Sequence, residues 1–109
     1  MRFALPDAVL LAALVLTTLA GCSQEPKLSA EGERGRQIYL SQCIACHNAD
    51  PSKAGPIGPD VRGASADLLR AKVIAGTYPP GYTPKRPTKL MQPMPHLAND
   101  IPALAEYLR

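Results

Sequence analysis

Two thiols and an imidazole stand together at Cys43-Ile44-Ala45-Cys46-His47. Thiols three positions apart can form thioethers to the two vinyl groups of a haem, and the histidine that follows then lies beneath the iron as its proximal ligand. Three other chemistries use similar residues. A structural zinc site needs four Cys or His ligands, and the additional candidate, His96, is poorly spaced. A thioredoxin-like dithiol normally sits in a βαβ unit. A plain disulfide suits an oxidising compartment but leaves the centre of so small a domain without filling.

The elements that must position these residues read as helices and loops. Residues 29–42 form a helix that runs into the motif. Ser29 can cap it, Glu31 and Glu33 favour its positive end, and Ile38, Tyr39 and Leu40 supply an apolar end. Residues 48–64, with Pro51, Pro56 and Pro59, read as loop. A second helix spans 65–75, with Ser65 as cap, Leu68, Leu69, Val73 and Ile74 inward, and Gly76 as a left-handed stop. Six prolines in residues 77–97 exclude a helix or a central strand there. Asn99 or Asp100 then caps a last helix with Pro102 in its first turn, an Ile101, Leu104, Leu108 stripe, and Arg109 at its negative end. Nothing alternates with period two, so the fold is expected to be all-α.

From Glu31 to Arg109 the chain resembles the class I c-type cytochromes. Gly35 and Tyr39, eight and four residues before Cys43, match the family's glycine and aromatic positions on the first helix. There the glycine lets the first and last helices cross closely and the aromatic packs into the crossing. Tyr107 and Leu108 resemble the matching end of the last helix. Gly58-Pro59-Asp60-Val61-Arg62-Gly63 is similar to the family's G-P-x-L-x-G loop, with Pro59 twelve residues after His47. The resemblance implies a small fold of three main helices and proline-rich loops around one covalently bound haem c. It assigns Cys43, Cys46 and His47 to attachment and proximal ligation, and the Pro59 carbonyl to the Nδ1 proton of His47. Pro56 is a weaker match, three residues short. For the sixth ligand it favours Met91, sixteen residues before Tyr107. Met94, thirteen before it and followed by Pro95, is the alternative, and His96 or an open site come last. A thioether stabilises ferrous iron, so His/Met coordination raises the potential.

Composition agrees with a non-protein centre. The 109 residues are 46% apolar, but fifteen of the apolar residues lie in the first 21. The other 88 residues are only about 40% apolar, contain eleven prolines, and lack Phe and Trp. Side chains alone make a marginal core in one such domain, and a multidomain enzyme is excluded. The net charge of +3 comes from scattered residues, so nucleic acid is not an expected partner. Residues 8–20 carry no charge and, at roughly 20 Å as a helix, are too short to span a ~30 Å hydrocarbon core. They suit the apolar region of a signal peptide. Leu19-Ala20-Gly21-Cys22 resembles the bacterial lipobox, in which the cysteine is lipidated.

The expected organisation is therefore a lipoprotein signal peptide over 1–21, a membrane tether over 22–29 that reaches about 25 Å when stretched, and a cytochrome c domain over 30–109. The expected function is single-electron transfer between redox proteins on the periplasmic side of a bacterial membrane, with Cys22 as lipid anchor and no small-molecule substrate. Lys85, Arg86 and Lys89 are either part of a docking rim for an acidic partner or a solvated loop. Alternatives are a haem subunit resting in a larger oxidoreductase, or a peroxidase or gas-binding protein if the sixth site is open. The latter is disfavoured because His96 is the only imidazole besides His47.

Overall fold

A computed structural model describes residue 21 and residues 25–109; the apolar leader and Cys22 lie outside the described residues. Helix α1 spans Ala30–Gln42, and the Ser29 hydroxyl accepts from the Gly32 amide as its cap. Glu31 and Glu33 occupy its first turn, pairing with Arg34 and Arg36. Helix α2, Ala66–Leu69, is capped by Ser65 and continues into a π turn, Arg70–Ile74, before Gly76 at φ 71° ends it. Helix α3, Ile101–Leu108, follows directly on a 3-10 turn, Pro95–Asp100. No strand occurs among the described residues, and no described helix is long and apolar enough to cross a membrane.

The first and last helices make the principal contact of the fold. Gly35 lies under α3, where a β-carbon at this position would overlap the Ala103 carbonyl and approach the Tyr107 β-carbon to 2.9 Å. A glycine inside a helix costs about 1 kcal/mol relative to alanine, and the backbone approach explains its presence. The Tyr39 and Tyr107 rings, 5.6 Å apart and tilted by 50°, fill the crossing beside it. Ile101, Leu104 and Leu108 form the buried stripe of α3 and join Tyr39, Leu69, Val73 and Leu97 in one apolar cluster.

Three local details differ from the sequence expectations. The second helix is α only for its first turn. Within the π turn the Val73 carbonyl accepts from the Met94 amide at 2.6 Å, so its end is tied to another segment. The proline-rich stretch does contain helical backbone, because Pro95 tolerates the first position of a 3-10 turn. Neither Asn99 nor Asp100 caps α3 with its side chain: the 3-10 turn feeds straight into it, and the Asp100 carboxylate instead pairs with Arg34 across the crossing.

Candidate haem site

The thiol–imidazole motif occupies tight turns at the end of α1. The Cys43 carbonyl accepts from the Cys46 amide at 3.2 Å and the His47 amide at 2.9 Å, which fixes the three residues relative to one another. The Tyr39 hydroxyl donates to the Asn48 carbonyl at 2.6 Å, tying the far side of the motif to the helix crossing. Burial pushes the Tyr39 hydroxyl up to about 12 and the Cys43 thiol up to about 11. Both groups, already neutral at pH 7 at their ordinary values, thus resist ionisation further in the unmodified chain.

Both thiols and His47 line a largely apolar cavity of about 540 Å³, within the ~300–1,000 Å³ range of small-molecule and cofactor sites. Leu68, Leu69, Val73, Leu104 and Leu108 contribute to its inner wall. The His47 ring is aimed by its surroundings. Its Nδ1 lies 2.8 Å from the Pro59 carbonyl, twelve residues on. A carbonyl only accepts, so Nδ1 carries the proton in this contact and the neutral ring offers Nε2 as a ligand atom. Gly58 forms the floor beneath the ring, since a β-carbon there would overlap the imidazole. The Gly58 amide donates to the Cys46 carbonyl at 2.8 Å, which binds this floor to the motif itself.

Met91 and Met94 both line the cavity and pack against the core cluster. Met94 has the more constrained backbone, since its amide donates to Val73 and its carbonyl accepts from Leu97. His96 is not among the lining residues; its Nε2 lies 3.4 Å from the Gln42 side chain on the exposed surface. Pro56 is exposed, while Pro59 makes the imidazole contact.

Several site residues were not legible from the motif. Tyr78 and Tyr82 line the cavity as a stacked pair 5.3 Å apart, with the Lys72 ammonium over the Tyr78 ring at 4.4 Å. Two tyrosines four apart in a proline-rich segment were the available signal. Lys85 and Arg86 bond back to the loop that carries Pro59. The Lys85 ammonium binds the Asp60 carboxylate at 2.7 Å, and Arg86 donates to the Ile57 and Gly55 carbonyls. The Lys85 contact holds the Asp60 carboxyl below its ordinary value of 3.8. Arg62 and Gly63, after Pro59, donate to the Tyr107 and Leu108 carbonyls and so close the C-terminal end of α3.

An all-α chain that presents two thiols and an oriented imidazole to one apolar cavity has the donor set and the space of a haem-binding domain. A family model described as Cytochrome c matches residues 32–109, and the chain belongs to that family as a class I c-type cytochrome. No curated protein and no solved structure matches it. The family binds haem c covalently, and Cys43 and Cys46 stand at the corresponding C-x-x-C-H position. Haem-based electron transfer is the family's general activity.

Proposed function

We propose that this protein is a single-electron carrier with His/Met axial ligation, held at a bacterial membrane on its periplasmic side by a lipid on Cys22. The observation that carries the reading is one cavity lined by the two thiols, by His47 with Nδ1 engaged by Pro59, and by two methionines. Cys43 and Cys46 would hold the porphyrin, His47 the iron from one side, and Met91 the other, with Met94 as alternative. When bound, haem c supplies a one-electron couple. The chain's own contribution is to orient His47, exclude water with an apolar wall, and offer a thioether that favours the reduced state.

The partners are redox proteins, a donor and an acceptor. Ile57 and Leu90, both exposed and both on the cavity lining, provide an apolar margin at which such partners could dock. Residues 25–29 are exposed and without helix or strand, as a tether ahead of α1 requires. The lipid anchor rests on the sequence around Cys22, which resembles a lipobox.

Spectra of the protein matured in a c-type-haem-competent bacterial host test the reading. The expected result is a reducible low-spin spectrum with a methionine–iron signature, lost in Met91→Ala and retained in Met94→Ala. Loss only in Met94→Ala reassigns the ligand, and a high-spin ferric spectrum overturns the carrier in favour of an open haem site. Cys22→Ala is expected to move the protein from the membrane to the soluble periplasmic fraction.

A further inference from the structure

The carbonyl that aims His47 belongs to residues 55–60, Gly55-Pro56-Ile57-Gly58-Pro59-Asp60, which form no helix or strand. Such a loop lacks the backbone partners that regular secondary structure supplies. The Gly58 carbonyl accepts from the Gly55 amide at 2.9 Å, and the Pro59 carbonyl meets His47. The Gly55, Ile57 and Asp60 carbonyls are engaged by two adjacent side chains far along the sequence. Arg86 donates from Nη1 to the Ile57 carbonyl at 2.5 Å and from Nη2 to the Gly55 carbonyl at 3.3 Å. Lys85 donates from Nζ to the Asp60 carbonyl at 3.0 Å and to its carboxylate at 2.7 Å. Pro59 is thus bracketed, at Ile57 and at Asp60, by carbonyls that the cations of residues 85 and 86 hold.

An exposed ion pair alone contributes little. The Arg86 contact differs, because a half-buried planar fork that meets two carbonyls of one turn constrains orientation as well as distance. Lys85 and Arg86 also stand six and five residues before Met91, on the segment that leads to both cavity methionines.

We infer that Arg86, assisted by Lys85, is a positioning residue for His47: it holds residues 55–60 where the Pro59 carbonyl meets Nδ1. The hydrogen bond behind the imidazole therefore depends on the segment that carries the methionines, and displacement of that segment loosens the proximal side as well. The inference rests on the reading of His47 as the iron ligand. A hydrogen bond from Nδ1–H to a carbonyl raises the basicity of Nε2. Weakening that bond makes the histidine a poorer donor and moves the reduction potential upward.

The test uses the full-length haem-loaded protein and three measurements: solvent exchange of the His47 Nδ1–H by NMR in the reduced state, the reduction potential, and affinity for added imidazole. Arg86→Gln is expected to speed Nδ1–H exchange by about tenfold and to raise the potential. Arg86→Lys, which can keep one of the two contacts, is expected to fall between it and the unaltered protein. Lys85→Gln removes only the two exposed contacts to Asp60 and is expected to move both quantities the same way by less. Unchanged exchange and potential in both Gln variants overturn the inference, even if imidazole affinity rises, because the pair would then anchor only the methionine segment. Absence of a protected Nδ1–H in the unaltered protein overturns the His47–Pro59 assignment and the inference together. A protected proton that the variants leave unmoved overturns the inference alone.

Discussion

Tyr39 joins two jobs that mutation can separate. Its ring is buried in the helix crossing, while its hydroxyl reaches the Asn48 carbonyl just beyond the motif. Tyr39→Phe keeps the ring and is expected to destabilise the holoprotein by about 1 kcal/mol, whereas Tyr39→Ala should cost roughly 3–5 kcal/mol. Denaturant unfolding followed at the haem absorbance measures both. Gly58→Ala places a methyl group against the His47 ring. It is expected to cost about 1–3 kcal/mol and to weaken the proximal bond, seen as a shifted potential beside the lost stability. These two positions also show what the sequence could and could not reveal. The spacing from His47 to Pro59, read through the family resemblance, anticipated their contact. The glycine beneath the ring left no separate trace, because a Gly-Pro pair reads first as a turn. Lys85 and Arg86 reach residues 25 to 31 positions away, a separation that no local pattern encodes.

At the scale of elements, the meeting of α1 with α3 is a backbone contact and so has little room to relax. Gly35→Ala gains about 1 kcal/mol of helix propensity, yet it drives a methyl group into the Ala103 carbonyl. The expected net outcome is a loss of about 1–3 kcal/mol, measured by thermal or denaturant unfolding, and an unchanged midpoint would refute the close-approach explanation. Helix positions and inward faces were readable from caps and periodicity: Ser29 and Ser65 cap as expected, and Ile101, Leu104 and Leu108 are buried. The π turn was not. Leu68, Leu69, Val73 and Ile74 fit an ordinary α-helix, and the departure involves a tertiary bond, from the Met94 amide to the Val73 carbonyl. Asp100 misled for a related reason, since its carboxylate had a better partner in Arg34 than in the helix end.

Across the whole molecule, the cavity dominates the energetics. Without a group to fill it, this cavity of about 540 Å³ leaves the apolar side chains that line it without packing partners, in a small domain whose kind is stabilised by only ~5–15 kcal/mol. The chain with Cys43→Ser and Cys46→Ser, which cannot be covalently loaded, is therefore expected to lack a cooperative unfolding transition in calorimetry. A sharp transition would show that the protein fills its own centre. Acid sensitivity follows from three exposed carboxylates. Hydrogen bonds from Arg36, Ser52 and Lys85 hold Glu33, Asp50 and Asp60 below their ordinary values of 4.5, 3.8 and 3.8. The folded state binds fewer protons than the unfolded state in this range, so their contribution is present above about pH 4.5 and is lost as pH falls through the depressed values. Asp60→Asn is expected to flatten the stability profile below that point, and added salt to shrink the difference between variant and parent.

The pairing of α1 with α3 also sets an order in time. Synthesis delivers the chain N-terminus first, and α1 emerges with its glycine and tyrosine face ready, but the surface it packs on is made by the last turns of the sequence. Until residues 101–108 appear, α1 lacks its main partner, and no early subdomain can close over Cys43 and Cys46. In the finished fold the Cys43 thiol is partly buried and resists ionisation. Modification of Cys43 is therefore expected to be faster before the α1–α3 crossing forms than after it.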